Sequence, residues 1–263
     1  MAQTAPPDDD EKMKSRFLFL ALLGALALLP AGAVQRAAAA NAAPPVVVEL
    51  FTSQGCNSCP PADAFLGELA QRPDVLALAF HVDYWNYIGW SDTFGKPWAT
   101  ARQRGYQDSL HLRYVYTPEM VVNGETEGVG SDKAAIENLI NAAEAKSSPH
   151  PSLVLHWLPN GALAVDIGDG QSPLDAPATI WLVGFDHPHT TPVLKGENEG
   201  KTLTDYQAVR SYRRIGAWAG WSMELMVPPD QAKALGDGGV AVLVQAQGTG
   251  PILTAARIGV PGG

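Results

Sequence analysis

The chain has two cysteines, Cys56 and Cys59, separated only by Asn57 and Ser58. In thiol chemistry the thiolate is the nucleophile. A helix start lowers a thiol pKa, because unpaired backbone N–H groups and the helix dipole favour negative charge there. Cys56 lies nearer the expected helix start and is the candidate nucleophile. Cys59, one turn on, can attack a mixed disulfide and resolve it. Two other readings stand beside this one. A permanent structural disulfide across so short a loop would contribute only about 2 kcal/mol by the loop-entropy argument. Half of a zinc site is the other, although there is no second cysteine pair to complete it.

Other residues could assist such chemistry. Glu49 interrupts an apolar run just ahead of the cysteines. A buried carboxylate there would have a raised pKa and could pass protons to Cys59; the alternative is a satisfied or edge-facing glutamate. His81 and Asp83 alternate along an expected strand and so share a face, where they could serve a metal, a proton relay or plain hydrogen bonding. His187 and His189 fall in a proline-rich loop. Trp85, Tyr87, Trp90, Phe94 and Trp98 cluster in one stretch and could form an exposed platform for unfolded peptide or pack an insertion onto the core. The segment Gly196-Glu197-Asn198-Glu199-Gly200-Lys201-Thr202 is no phosphate loop, because its glycines are separated by three residues instead of four.

The elements that must position these residues follow from pattern. Val46 to Phe51 predicts a mostly buried strand, followed by the cysteines and a helix from about Asn57 to Gln71 with Pro60 and Pro61 in its first turn. Val75 to Val82 predicts a second strand, and a helix is expected near Lys96 to Leu110. Thr117-Pro118 leads into a strand ending at Asn123-Gly124, a hairpin turn signal, with the return strand through Val129. Ser131 is the expected cap of a helix from Asp132 to Lys146. A linker is expected at Ser147 to Pro151. Beyond it, strands are predicted at Ser152 to Leu158, Ala162 to Ile167, Ala178 to Phe185, Trp221 to Val227, Gly239 to Ala246 and Ile252 to Ile258. Thr202 to Ile215 leans towards strand, and Asp230 to Leu235 reads as a short helix.

The formal charge of -9 offers no footprint for nucleic acid or an anionic membrane. Lys12, Lys14 and Arg16 precede an apolar run from Phe17 to Leu29, and Ala31-Gly32-Ala33 and Ala40-Asn41-Ala42 are candidate cleavage sites. This reads as a secretory signal peptide, with Met13 as the initiator, rather than a retained anchor, since a span needs about 20 apolar residues. The expected location is periplasmic or secreted, with no stable membrane anchor after cleavage. An oxidising compartment permits a disulfide.

The order strand, Cys-x-x-Cys, helix, Thr-Pro, hairpin and closing helix resembles the thioredoxin superfamily. Within it, the chain resembles the exported bacterial family catalogued as domain of unknown function 1223. The residues that carry this are Val48 to Asp63, His81 to Asn86, Tyr116 to Gly124, and Gly196 to Gly200 through Val209-Arg210. The resemblance implies an α/β thioredoxin-like domain over 44–148, preceded by a signal peptide and disordered start over 1–43. A mainly antiparallel β-sandwich-like domain is expected over 149–263. It also implies a cis Pro118 facing the cysteines. Cys56, Cys59, Pro118 and Glu49 are then the candidate catalytic residues of a thiol–disulfide oxidoreductase acting on exported protein or small-molecule thiols, with no cofactor. A copper or zinc carrier using the same thiols, and a non-catalytic binding module, are the alternatives.

Overall fold

The computed structural model describes residues 1–3, 43–146, 149–170, 174–232 and 235–261. The expected signal peptide therefore lies outside the described residues, as does the start of the expected linker. The chain divides into Met1–Ala38 and Ala39–Gly263, and the second unit holds every element below. Among the described residues, no helix is long and apolar enough to cross a membrane.

Strand β1 (Val46–Thr52) is buried along its whole length, as expected of a strand covered on both faces. Helix α1 (Pro60–Leu69) follows, and β2 (Val75–His81) returns parallel to β1. The sequence predicts α1 from Asn57, but it begins at Pro60 with Cys59 as its N-cap. An earlier start would require Pro61 to donate a backbone hydrogen bond, which it cannot do. A 3-10 turn at Asn86–Ile88 and α2 (Pro97–Ser109) lead to β3 (Glu119–Val122) and β4 (Thr126–Val129). Asn123 and Gly124 join these two strands at φ 48° and 67°, the left-handed pair that a tight hairpin needs. Helix α3 (Lys133–Ala145) is capped by Asp132, not Ser131: the Asp132 carboxylate accepts from the Ala135 N–H at 3.0 Å. The first sheet runs β2-β1-β3-β4, with only the β1–β2 pair parallel.

The rest of the chain is mainly β: β5 (Leu153–Trp157), β6 (Leu163–Ile167), β7 (Ala178–Phe185), β8 (His189–Pro192), β9 (Thr202–Asp205), β10 (Val209–Trp218), β11 (Met223–Val227), α4 (Pro229–Ala232), β12 (Gly239–Gln245) and β13 (Ile252–Ile258). Thr202 to Ile215 is strand, broken at Tyr206–Ala208. Strands β10-β7-β12-β13 and β11-β6-β5 form two antiparallel sheets, and β8-β9 stands apart as a two-stranded hairpin.

The cores follow from strand alternation. Val48 and Leu50 point to one face of the first sheet, where Leu66 of α1 and Ile136 and Ile140 of α3 cover them. Val47 and Phe51 point to the other face. There they meet Tyr106 of α2 together with Val183, Ala241 and Leu243 of β7 and β12. One apolar core thus joins residues from both sides of the expected linker. A third core lies between the two antiparallel sheets, around Val165, Ile180, Trp218 and Val242.

Candidate functional site

The chain leaves β1 at Thr52 and turns tightly. The Cys56 N–H donates to Ser53 O at 3.0 Å, and the Cys59 N–H to Cys56 O at 3.3 Å. Cys59 has helical dihedrals, and its carbonyl accepts from the Ala62 and Asp63 N–H groups of α1. Cys56 and Cys59 form a disulfide with their Cα atoms 5.4 Å apart. The Thr117–Pro118 peptide is cis. It reaches the disulfide through Thr117 O, which lies 3.9 Å from Cys56 Sγ. Ser58 Oγ sits 3.3 Å from the same sulfur and 3.5 Å from Thr117 O. Trp85 Nε1 donates to Thr117 Oγ1 at 2.8 Å and holds that loop in place. The structure therefore brings together Cys56, Cys59 and the Thr117–Pro118 peptide.

It does not bring Glu49 to them. Glu49 shares the sheet face of Val47 and Phe51, whereas α1 packs on the opposite face. Its carboxylate is held by Arg102, which donates through Nε and Nη2 at 2.6 Å each. Tyr106 Oη donates to it as well, at 3.1 Å. Arg102 Nη1 also donates to Tyr212 Oη and to Gln245 Oε1. The expected proton relay at Glu49 is thus replaced by a closed ion-pair network, facing away from the sulfurs.

The buried acid on the cysteine side is Asp63, one turn beyond Cys59 on α1, where positions i and i+4 share a face. Its carboxyl accepts from Thr52 Oγ1 at 2.7 Å. Burial pushes it up to about 7, against the opposing pull of His81 and the Thr52 bond. His81 is 2% exposed. Its Nδ1 donates to Asp92 Oδ2 at 2.9 Å, and its Nε2 faces Asp205 Oδ1 at 3.8 Å with no hydrogen-bond partner. Burial disfavours the imidazolium, but the charges of Asp92, Asp205 and Asp63 outweigh it and raise His81 to about 9. Burial also raises Asp205, while His81 and its hydrogen bonds hold Asp92 below the usual carboxylate range. Gln54, two residues before Cys56, ties this cluster together: its N–H donates to Asp92 Oδ2 and its Nε2 to Asp205 Oδ2, both at 2.7 Å.

Asp83 is not part of this cluster. It accepts from Thr100 Oγ1 at 2.6 Å, on the α2 side. Of the clustered aromatics, only Tyr87 stands out in solvent, at 81% exposure. Phe94 packs against His81 and His189, Trp98 against Phe80 and Tyr212, and Trp90 Nε1 donates to Gln54 Oε1. Packing therefore accounts for most of the group. His189 meets Asp186 and Asp237, whose ligand atoms lie within 4.8 Å of one another, the one such metal-sized group among the described residues. Asp186 is already neutralised by Arg210 Nε at 3.3 Å. A cleft of about 670 Å³ lies elsewhere, lined in part by Trp98, Arg102, Trp181 and Tyr212.

Sequence reasoning missed Asp63, Asp92, Asp205, Gln54 and Asn198. Asp63 had a usable signal, since it falls in the stripe of Cys59 and Leu66 on α1. Gln54 and Asn198 lie in segments that carry the family resemblance but had no role read from them, and Asp92 and Asp205 are brought in by long-range contacts and carried no signal.

A family model described as "Protein of unknown function (DUF1223)" matches residues 47–245. The crystal structure of protein AGR_C_4864 from Agrobacterium tumefaciens is similar to the chain, with a TM-score of 0.73 and 31% sequence identity. The match covers 85% of this chain and 98% of that one. No curated protein matches.

Proposed function

The chain belongs to the DUF1223 family, and we propose that it is an exported, thioredoxin-like thiol–disulfide oxidoreductase. The observation that carries this reading is the Cys56–Cys59 disulfide at the start of α1, with Thr117 O against Cys56 Sγ and Asp63 one turn along the helix from Cys59. The basic start and apolar run from Lys12 to Leu29 support export. The β1-α1-β2 unit with its antiparallel β3–β4 extension supports a thioredoxin-like first part, and the cores around β5 to β13 support a sandwich-like second part.

In the reducing direction a partner thiolate attacks Cys56 Sγ. A new S–S bond forms, the Cys56–Cys59 bond breaks, and Cys59 leaves as a thiolate. Asp63, titrating near neutral pH, can protonate Cys59 and take the proton back in the reverse direction. The partner's second thiol then attacks the mixed disulfide. The partner leaves oxidised, and Cys56 and Cys59 are left as thiols, two electrons and two protons richer. The substrates proposed are exported proteins or small-molecule thiols and disulfides.

The test is turnover in insulin reduction and in the refolding of a scrambled disulfide protein. Activity in either, abolished by Cys56→Ser, is the expected result. No turnover in both, with Cys56→Ser indistinguishable from the parent, overturns the reading.

A further inference from the structure

Cys56 and Cys59 are each 0% exposed, although Asn57 and Ser58 between them are open to solvent. An incoming thiolate must approach a sulfur along the S–S axis, so exchange requires something to move. The backbone of the cysteine turn is tied down from far along the chain. The loop between β8 and β9 bends back over the cysteine turn, with Gly196 and Gly200 bracketing its tip at φ 82° and 79°. Asn198 at that tip is wholly buried. Its Nδ2 donates to Gln54 O and to Cys56 O, both at 2.9 Å, and its Oδ1 accepts from Lys201 Nζ. Glu197 Oε2 accepts from the Asn57 N–H at 3.2 Å. The tip is pressed onto the same wall as the cysteine turn: Ile88 Cδ1 lies 3.0 Å from the place a Gly196 Cβ would occupy and 3.3 Å from that of Gly55. The hairpin is anchored at its base by Asp205, which accepts from Gln54 Nε2.

We propose that the β8–β9 hairpin tip is a latch over the disulfide, and that Asn198 is a positioning residue whose release admits the attacking thiol. The proposal rests on the redox reading for its purpose but not for its geometry. The hairpin suits the role, because it belongs to neither four-stranded sheet and the hydrogen bonds from its tip to the turn come from two side chains, Asn198 and Glu197. Such an element can open without unfolding the sheets. Asn198 satisfies two carbonyls that closure buries, so it sets both the position of the turn and the stability of the closed form.

The experiment measures the rate at which dithiothreitol reduces the disulfide of the full chain, in the absence of any protein substrate. Dithiothreitol supplies both electrons and is itself converted to its cyclic disulfide. Asn198→Ala is expected to raise this rate on the order of tenfold, and Glu197→Ala about two- to threefold, from the bonds each removes. The rate should change little with urea below the unfolding transition, because local opening exposes little surface. That readout separates a latch from general destabilisation, which would give the urea dependence of global unfolding. Should Asn198→Ala fail to fold, the exposed Glu197→Ala variant and the urea dependence of the parent decide the matter. Parent and variants reduced at one rate, or a urea dependence equal to that of global unfolding, overturn the latch. A latched disulfide with no turnover of insulin or scrambled substrate would leave the latch standing and remove the oxidoreductase.

Discussion

The first sheet carries two buried charge clusters, and they are built in opposite ways. Around Glu49 and Arg102 every charged oxygen and nitrogen has a partner. The guanidinium forks onto the carboxylate, and Tyr106, Tyr212 and Gln245 take what remains. The Arg102 guanidinium also lies 4.8–5.3 Å from the ring centres of Phe80, Tyr106 and Tyr212. Around His81, three carboxylates share one imidazolium, Nε2 lacks a hydrogen-bond partner, and Asp63 is left to titrate near neutral pH. The first cluster ties α2 and β12 to β1 and offers no proton to give. The second lies beneath the cysteine turn and has one. Both clusters are buried, so burial does not distinguish them; the completeness of their partners does.

The largest effect that would break this contrast is expected at Arg102. Arg102→Met leaves Glu49 as an uncompensated buried charge and should cost about 3–5 kcal/mol in urea unfolding. Adding Glu49→Leu should restore most of that, because removing both charges removes the desolvation problem with them. A double variant no more stable than the single one would mean the network is not closed.

At the His81 cluster the signature is pH dependence. The folded Asp63 carboxyl is raised from 3.8 to about 7, so the native state holds this proton where the unfolded chain has lost it. Its contribution is complete below pH 4 and is lost as pH rises to 7. The folded His81 is raised from 6.5 to about 9, so its contribution is present below 6.5 and lost as pH rises through 9. Unfolding midpoints should therefore fall with pH across both windows. Asp63→Asn should make the first decline shallower, leaving the share that buried Glu119, raised from 4.5 to about 7, contributes over the same window, and should leave a decline in the second. An unchanged slope between pH 4 and 7 would remove Asp63 as the titrating acid.

Thr52→Val sharpens the same point with a smaller change. It deletes the hydroxyl bond to Asp63 and should cost about 1 kcal/mol. Because that bond lowers the Asp63 pKa, its loss should move the acidic window upward in pH. A solvent-exposed pair gives the baseline. Lys133 and Glu68 meet at 2.6 Å on the surface, and Lys133→Ala should change stability by no more than about 0.5 kcal/mol.

Much of the framework was legible from residue pattern. The largely apolar runs at Val46 and Val75 read as buried strands, and Asn123-Gly124 as their hairpin partner's turn, because backbone preference and burial agree locally there. The cap at Asp132 was misplaced by one residue, since Ser131 and Asp132 are both good caps and only the chain's entry path chooses between them. The strand at His189 was missed because four polar and proline residues carry no periodic signal. Glu49 was legible as a buried acid but not as a partner of Arg102, which lies 53 residues away in sequence.

The sequence by itself determined the cysteine pair, the proline pair that starts α1 behind it, and the strands on either side, because each is a matter of spacing and local backbone chemistry. It determined the family as well. Tertiary structure alone decided which acid lies on the α1 side of the sheet. A side chain's face on a buried strand carries no mark until helices cover the sheet, and Glu49 and Asp63 then fall on opposite sides of it. Tertiary structure also decided that both cysteines are buried and that their turn is held by an asparagine more than 140 residues away from the carbonyls it bonds.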